Sequence, residues 1–263
     1  MLNDYFTAIA GLAERVNLNW LIIAGVFTRM SGIAFLAPAM GELTVSPRVR
    51  LAAAAALTMV VAPSMWTPAP ADVDAAVLAV FLAAEAAAGL LVGFALRLAL
   101  FALQMLGSIT AQALSLTQLF GPGLGHDQES PFSTILIAAG LAVACAGGLH
   151  LEVAATAVAT YEVLPLGEFV AFDNGAEFAA VQSAKAISLA FGLAAPFVLL
   201  GFAYSIALAA SNRAMPQMAA VFVGAPAIVL AGMILFAGSA YIILSKWSGV
   251  MAALASAPLS GLP

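Results

Sequence analysis

Charge is scarce in this chain: 8% of its 263 residues are charged and 64% are hydrophobic, against roughly a quarter charged in soluble globular domains. That composition excludes a soluble globular domain and is that of an integral membrane protein. Basic residues number eight against thirteen acidic ones, for a formal charge of -5, and none of the eight lies in a cluster. The electrostatic attraction that drives binding to nucleic acid is therefore missing, and nucleic acid is not an expected partner. Cysteine is nearly absent. Cys145 stands alone in an apolar run, so neither an intrachain disulfide nor a Cys-based metal site can form, and it reads as a small buried hydrophobe. His126 and His150 have no metal-ligand spacing, and His150-Leu151-Glu152 is too little for a site. There is no Gly-rich nucleotide loop carrying a Lys, no H-E-x-x-H and no nucleophile elbow. The chain reads as a non-enzyme with no cofactor and no metal.

What is present is a succession of apolar runs, near 18–40, 51–66, 75–103, 104–120, 132–146, 149–164, 179–210 and 219–244. They are rich in Ala and Leu and lack the two-residue alternation of a membrane barrel strand, so all are expected to be helical. The fold class expected is an all-α integral membrane protein, a multi-helix subunit with short and re-entrant helical hairpins. Residues 1–263 show no internal repeat and no soluble segment, and read as a single membrane domain. The first run follows Asp4, Glu14 and Arg15 and exceeds the core of about 7–15 residues of a cleavable signal, so it is expected to stay as an anchor. A helix needs about 20 apolar residues to cross a bilayer core of about 30 Å. The runs at 51–66, 104–120, 132–146 and 149–164 fall short. Short helices are tolerated where protein or an aqueous cavity surrounds them, which points to an assembly rather than a free-standing bundle.

Charge placement gives a topology. Arg48 and Arg50 are expected in one connection and Arg213 in another, while Asp72 with Asp74, Asp127 with Glu129, and Glu168, Asp173 and Glu177 mark acidic ones. Basic loops favour the cytoplasm. The signs alternate only if residues 132–164 turn at Gly147-Gly148 as a hairpin instead of forming one long helix.

Four features are candidates for function. Gln104, Ser108, Gln112 and Ser115 recur at helical spacing and make a neutral polar stripe, either a wall of a water-filled conduit or hydrogen-bond glue between helices. That stripe runs into Leu119-Phe120-Gly121-Pro122-Gly123-Leu124-Gly125, whose glycines and proline stop a helix; the segment is a movable apolar plug or an ordinary turn. Glu85, Gly89, Gly93 and Arg97 follow one another at spacing four and form a packing face, with the two charges about 18 Å apart along the axis and so unable to pair with each other. Arg29, Glu152 and Lys185 are the remaining charges in or beside apolar runs, either parts of a proton relay or members of buried pairs and snorkelling groups.

Taken in order, further elements carry a resemblance. They are Arg29 with Pro38; Pro47-Arg48-Val49-Arg50-Leu51-Ala52 running to Val61-Ala62-Pro63; Gln112 before the Gly-Pro loop; Gly147-Gly148-Leu149-His150; Leu164-Pro165-Leu166-Gly167; Asn212-Arg213 to Pro216-Gln217; and Val221-Phe222-Val223-Gly224-Ala225-Pro226. Over nearly its whole length the chain resembles the FliR family of flagellar export proteins, whose injectisome relatives serve type III secretion. The resemblance implies a non-enzymatic subunit of an export gate, in the inner membrane at the flagellar basal body. It implies assembly with FliP and FliQ in a helical hetero-oligomer, with FlhB docked against it, membrane lipid around it and unfolded flagellar proteins passing through. It also implies that Leu119 to Gly125 help close the pore, although Gly121-Pro122 departs from the family's common Asp-Pro. Arg213, Pro216 and Gln217 would form a structural corner against neighbouring subunits. Flagellar rather than injectisome membership rests mainly on the Asn212-Arg213 and Val221-Gly224 wording. The rivals are an injectisome gate subunit, a stand-alone proton-coupled transporter using Glu85, Glu152 and Lys185, and a scaffold without a pore.

Overall fold

The computed structural model describes residues 20–42, 44–65, 74–114, 130–214, 220–256 and 259. Among them the regular elements are helices: α1 (Trp20–Leu36), α2 (Pro47–Val61), which continues as a short 3-10 turn, α3 (Ala75–Ala113), α4 (Pro131–Ala146), α5 (Leu149–Val163), α6 (Phe172–Ala214) and α7 (Ala220–Ser256). Local chemistry sets several of the ends. Pro47 and Pro131 open α2 and α4 at positions where a missing N–H is harmless. Ser130 caps α4, its hydroxyl accepting from the Ser133 N–H at 3.1 Å. The expected break at Gly147-Gly148 is present, because Gly148 takes the left-handed conformation at φ 85 and a continuous helix cannot pass through it.

Several expectations are corrected. The runs 75–103 and 104–120 are not separate helices up to residue 113, since α3 continues unbroken through Gln104 and Ser108. Arg48 and Arg50 lie in the first turn of α2, and Asp173, Glu177 and Arg213 lie within α6, rather than in connections, because each helix runs past the apolar stretch into its charged flank. Cys145, expected to be buried, is exposed near the end of α4.

Four helices are long and apolar enough to cross a membrane, Pro47–Met65, Ala75–Ala113, Asp173–Ala214 and Gly224–Ser256, and α4 with α5 qualify together as a bent fifth span. Among the described residues this makes the molecule an all-α integral membrane protein. α6 has 43 residues, or about 65 Å at 1.5 Å per residue, some twice the thickness of a hydrocarbon core.

The chain divides into two compact units. One comprises Met1–Arg97, Gly148–Val181 and Ala252–Pro263; the other comprises Leu98–Gly147 and Gln182–Met251. In the first unit, α1 and α3 run parallel, with partners that keep step along both helices. Gly25 faces Phe81, Gly32 faces Gly89 and Leu90, and Leu36 faces Gly93. The approach is backbone to backbone: a Cβ on Gly89 would fall on the carbonyl of Arg29, and one on Gly32 would lie 2.9 Å from the backbone of Gly89. Val26, Met30, Ile33, Ala88 and Val92 fill the seam and are buried. Parallel helices need a returning segment between them, and α2 lies between α1 and α3 in the chain and packs on α5. The Thr156 hydroxyl donates to the Ala255 carbonyl at 2.6 Å, fastening α5 to the last turn of α7.

The second unit is built around Trp247. Its ring is buried, its Nε1–H donates to the Ala99 carbonyl at 2.7 Å, and it lies against Gly140 together with Leu103. Phe236 stacks at a tilt on Phe132, with ring centroids 4.7 Å apart, and on Phe197 at 6.3 Å.

Candidate functional site

The polar stripe belongs to the second unit, and the structure divides it. The Ser108 hydroxyl donates to the Gln104 carbonyl at 3.0 Å and lies 3.2 Å from the hydroxyl of Ser133 on α4. Ser133, fully buried, donates its own hydroxyl to the Gln104 carbonyl at 2.9 Å. Gly107 makes this possible, because a Cβ there would strike the backbone of Ser133. Gln104 is half-buried, whereas Gln112, one turn beyond Ser108, is exposed. Ser108 therefore links α3 to α4 through Ser133, while Gln112 is the exposed member of the stripe among the described residues. Ser115 and the loop residues Leu119, Phe120, Gly121, Pro122, Gly123, Leu124 and Gly125 lie outside the described residues.

The stems on either side of residues 115–129 are firmly held. On one side Thr110, Ala111 and Leu114 are buried at the end of α3. On the other, the Ser130 cap and Ser133 tie the start of α4 to Gln104 and Ser108. Ser130 and Ser133 were not singled out from sequence, although the Ser-Pro pair ahead of an apolar run is a usable start signal.

This division has a testable consequence. With Cys145→Ala as background, Gln112→Cys is expected to react with a water-soluble thiol reagent about tenfold faster than Ser108→Cys, since reaction needs an exposed thiolate. Equal rates would mean that α3 and α4 part in solution.

The second candidate is a cluster of buried charge in the first unit. Arg29 of α1 and Glu85 of α3 are both fully buried and pair through two bonds, Nε to Oε2 at 2.7 Å and Nη2 to Oε1 at 3.0 Å. The parallel packing of α1 on α3 brings them together from positions 56 residues apart. The third nitrogen of Arg29 donates to the Leu164 carbonyl at 2.9 Å and reaches the Thr160 hydroxyl at 3.4 Å. Glu85 Oε1 accepts from the Gly167 N–H at 2.7 Å. The guanidinium stands 3.8 Å from the centre of the Tyr161 ring, a cation–π contact in a desolvated setting. Arg29 thus meets its partner within this chain, and α5 with the turn after it completes the set, a long-range contact that no local pattern marks.

Arg97 bonds Glu42 at 2.5 Å, with both side chains partly exposed. Arg50 donates to the Glu42 carbonyl at 2.6 Å, while Arg48 is exposed. Thus Glu85 and Arg97, which bracket Gly89 and Gly93, each bond a residue from α1 or the segment after it. Glu152 is half-buried and does not bond Glu85, and Lys185 is exposed. Arg213 is exposed in the last turn of α6, where its charge complements the helix dipole. Pro216 and Gln217 lie outside the described residues.

A multi-helix membrane protein whose buried charges and hydroxyls tie distant helices to one another is the class these features define. The chain belongs to the bacterial export proteins, family 1, which matches residues 20–254. It is 28% identical over 230 residues to the flagellar biosynthetic protein FliR of Caulobacter vibrioides, across 86% of this chain and 91% of that protein. It is 25% identical over 214 residues to the Yop proteins translocation protein T of Yersinia pestis and of Yersinia pseudotuberculosis, across 80% of this chain and 81% of theirs.

Proposed function

We propose that this protein is a non-enzymatic subunit of a flagellar type III export gate in the bacterial inner membrane, at the base of the flagellum. Family membership across residues 20–254 carries the proposal, and FliR leads the injectisome-type relatives in identity and coverage. In this role the chain assembles with FliP and FliQ, contacts FlhB and lines part of the path taken by unfolded flagellar proteins. The apolar surface supports an assembly. Large exposed hydrophobic residues run along α6 from Val181 through Phe191, Leu199 and Phe202 to Ile206, about 37 Å of helix, which is more than a bilayer core covers. Other apolar helices are the natural cover for the excess.

Within the gate, Gln112 with Ser115 faces the path, and Leu119 to Gly125 form the closure carried on the two clamped stems. Arg213, Pro216 and Gln217 form a corner toward neighbouring subunits. The test is purification from membranes in mild detergent followed by native mass determination. One copy bound to several small apolar partners matching FliP and FliQ is expected. A monomer or homodimer, under conditions that keep other membrane complexes whole, would rule the proposal out.

A further inference from the structure

The contact between α1 and α3 poses a problem of alignment. Its close approach depends on glycine, yet glycine recurs on α3 at Gly89 and again one turn later at Gly93. Shifting α1 by one turn would set Gly32 over Gly93 instead of Gly89, with backbone approach still allowed. The seam residues Val26, Met30, Ile33, Ala88 and Val92 are all apolar, and none carries a polar group that would mark the alignment. The close glycine approach at Gly89 therefore does not by itself choose between the two alignments, although the Phe81 ring seated at Gly25 also favours the observed one.

The buried charges do choose. In the observed alignment the charged and backbone groups of the cluster are matched: Arg29 with Glu85, the Leu164 carbonyl with Arg29, and the Gly167 N–H with Glu85. One turn away, Arg29 and Glu85 would both be buried without a partner, the most costly arrangement an apolar interior can hold. The Leu164–Gly167 turn would also lose its seat, because it bonds the two partners jointly. Gly167 itself is in the left-handed region at φ 84 and lies against the Phe81 ring, which also fills the space in front of Gly25. The turn accordingly docks on a surface that exists only when α1 and α3 are in step.

We propose that Arg29 and Glu85 form a register key: their pairing selects the one alignment of α1 on α3 that builds the seat for the Leu164–Gly167 turn, and so fixes where the chain enters α6. This inference is independent of the export-gate assignment.

The experiment uses the full chain in membranes, with Cys145→Ala throughout. Leu36→Cys with Gly93→Cys and Arg97→Gln reports the observed alignment, since the Leu36 Cβ lies 2.9 Å from the position a Gly93 Cβ would take, close to disulfide range. Leu36→Cys with Arg97→Cys reports the alignment shifted by one turn. Both probes lack the Arg97 pair with Glu42, leaving Arg29 and Glu85 as the key. Disulfides are formed by mild oxidation and measured as linked peptides by mass spectrometry. With Arg29 and Glu85 intact, the link between positions 36 and 93 is expected to dominate; its absence there overturns the inference. In Arg29→Met with Glu85→Leu, the link between 36 and 97 is expected to rise about fivefold or more at the expense of the other. No rise would mean that glycine packing sets the alignment unaided, and the key would be refuted. Should that variant fail to accumulate, Arg29→Glu with Glu85→Arg decides. The exchanged pair is expected to keep the 36–93 link while the Gly167 amide exchanges with solvent faster. A shift of the exchanged pair to the 36–97 link would also refute the key.

Discussion

Glu85→Ala is expected to destabilise the protein by about 3–5 kcal/mol, since it leaves the fully buried guanidinium of Arg29 without its carboxylate. The loss exceeds that of an ordinary ion pair for two reasons. The pair is bidentate and desolvated, and Glu85 also accepts the Gly167 N–H, so one substitution leaves both a charge and a backbone donor unmatched. Arg29→Lys is expected to fall between Glu85→Ala and the parent, because an ammonium reproduces the charge but not the fork that engages Glu85 and Leu164 together. By contrast Arg97→Gln, which breaks a partly exposed pair, is expected to cost about 0–1 kcal/mol. Thermal unfolding in detergent and the amount of protein recovered from membranes would measure all three. A Glu85→Ala protein as stable as the parent would show that water reaches the cluster.

The other large effect concerns the seal. In the proposed gate, shortening Leu119 to Gly125 is expected to make the resting membrane leak ions and small solutes, because too little apolar chain would remain for the closure proposed for this segment. The measurement is ion flux or conductance in cells or liposomes holding the assembled complex. An unchanged seal in a complex of unchanged composition would remove the plug role and leave this chain as a scaffold. Gln112, exposed on the polar face near one stem, gives a control: Gln112→Ala is expected to leave the closed seal intact, since it shortens no backbone.

How far the sequence alone could go is visible in particular residues. The break at Gly147-Gly148 was legible because a left-handed turn favours glycine strongly enough to be read locally. The four-residue spacing of Glu85, Gly89, Gly93 and Arg97 marked one face of a helix for the same reason, that helical geometry is a property of a single segment. The end assigned at residue 103 was wrong for a physical reason too. Gln104 and Ser108 looked like an interruption of an apolar run, but their neutral polar groups are accommodated by α3 itself and by Ser133 of α4, so the helix had no cause to stop. The charge of Arg48 and Arg50 suggests a loop, but Pro47 ahead of them is a good first helical residue and begins α2 there.

By itself the sequence determined that this is a helical membrane protein, where its glycine breaks fall, and through the order of its motifs which family it resembles. Composition and short-range spacing suffice for these, because the bilayer demands internally satisfied backbone and each helix face can be read from one segment. Only the tertiary structure decided that Arg29 belongs to Glu85, that Ser108 meets Ser133 of α4, and that α1 lies parallel to α3. These are pairings between distant segments, and each is selected by which buried charge or hydroxyl finds a partner once the helices have met.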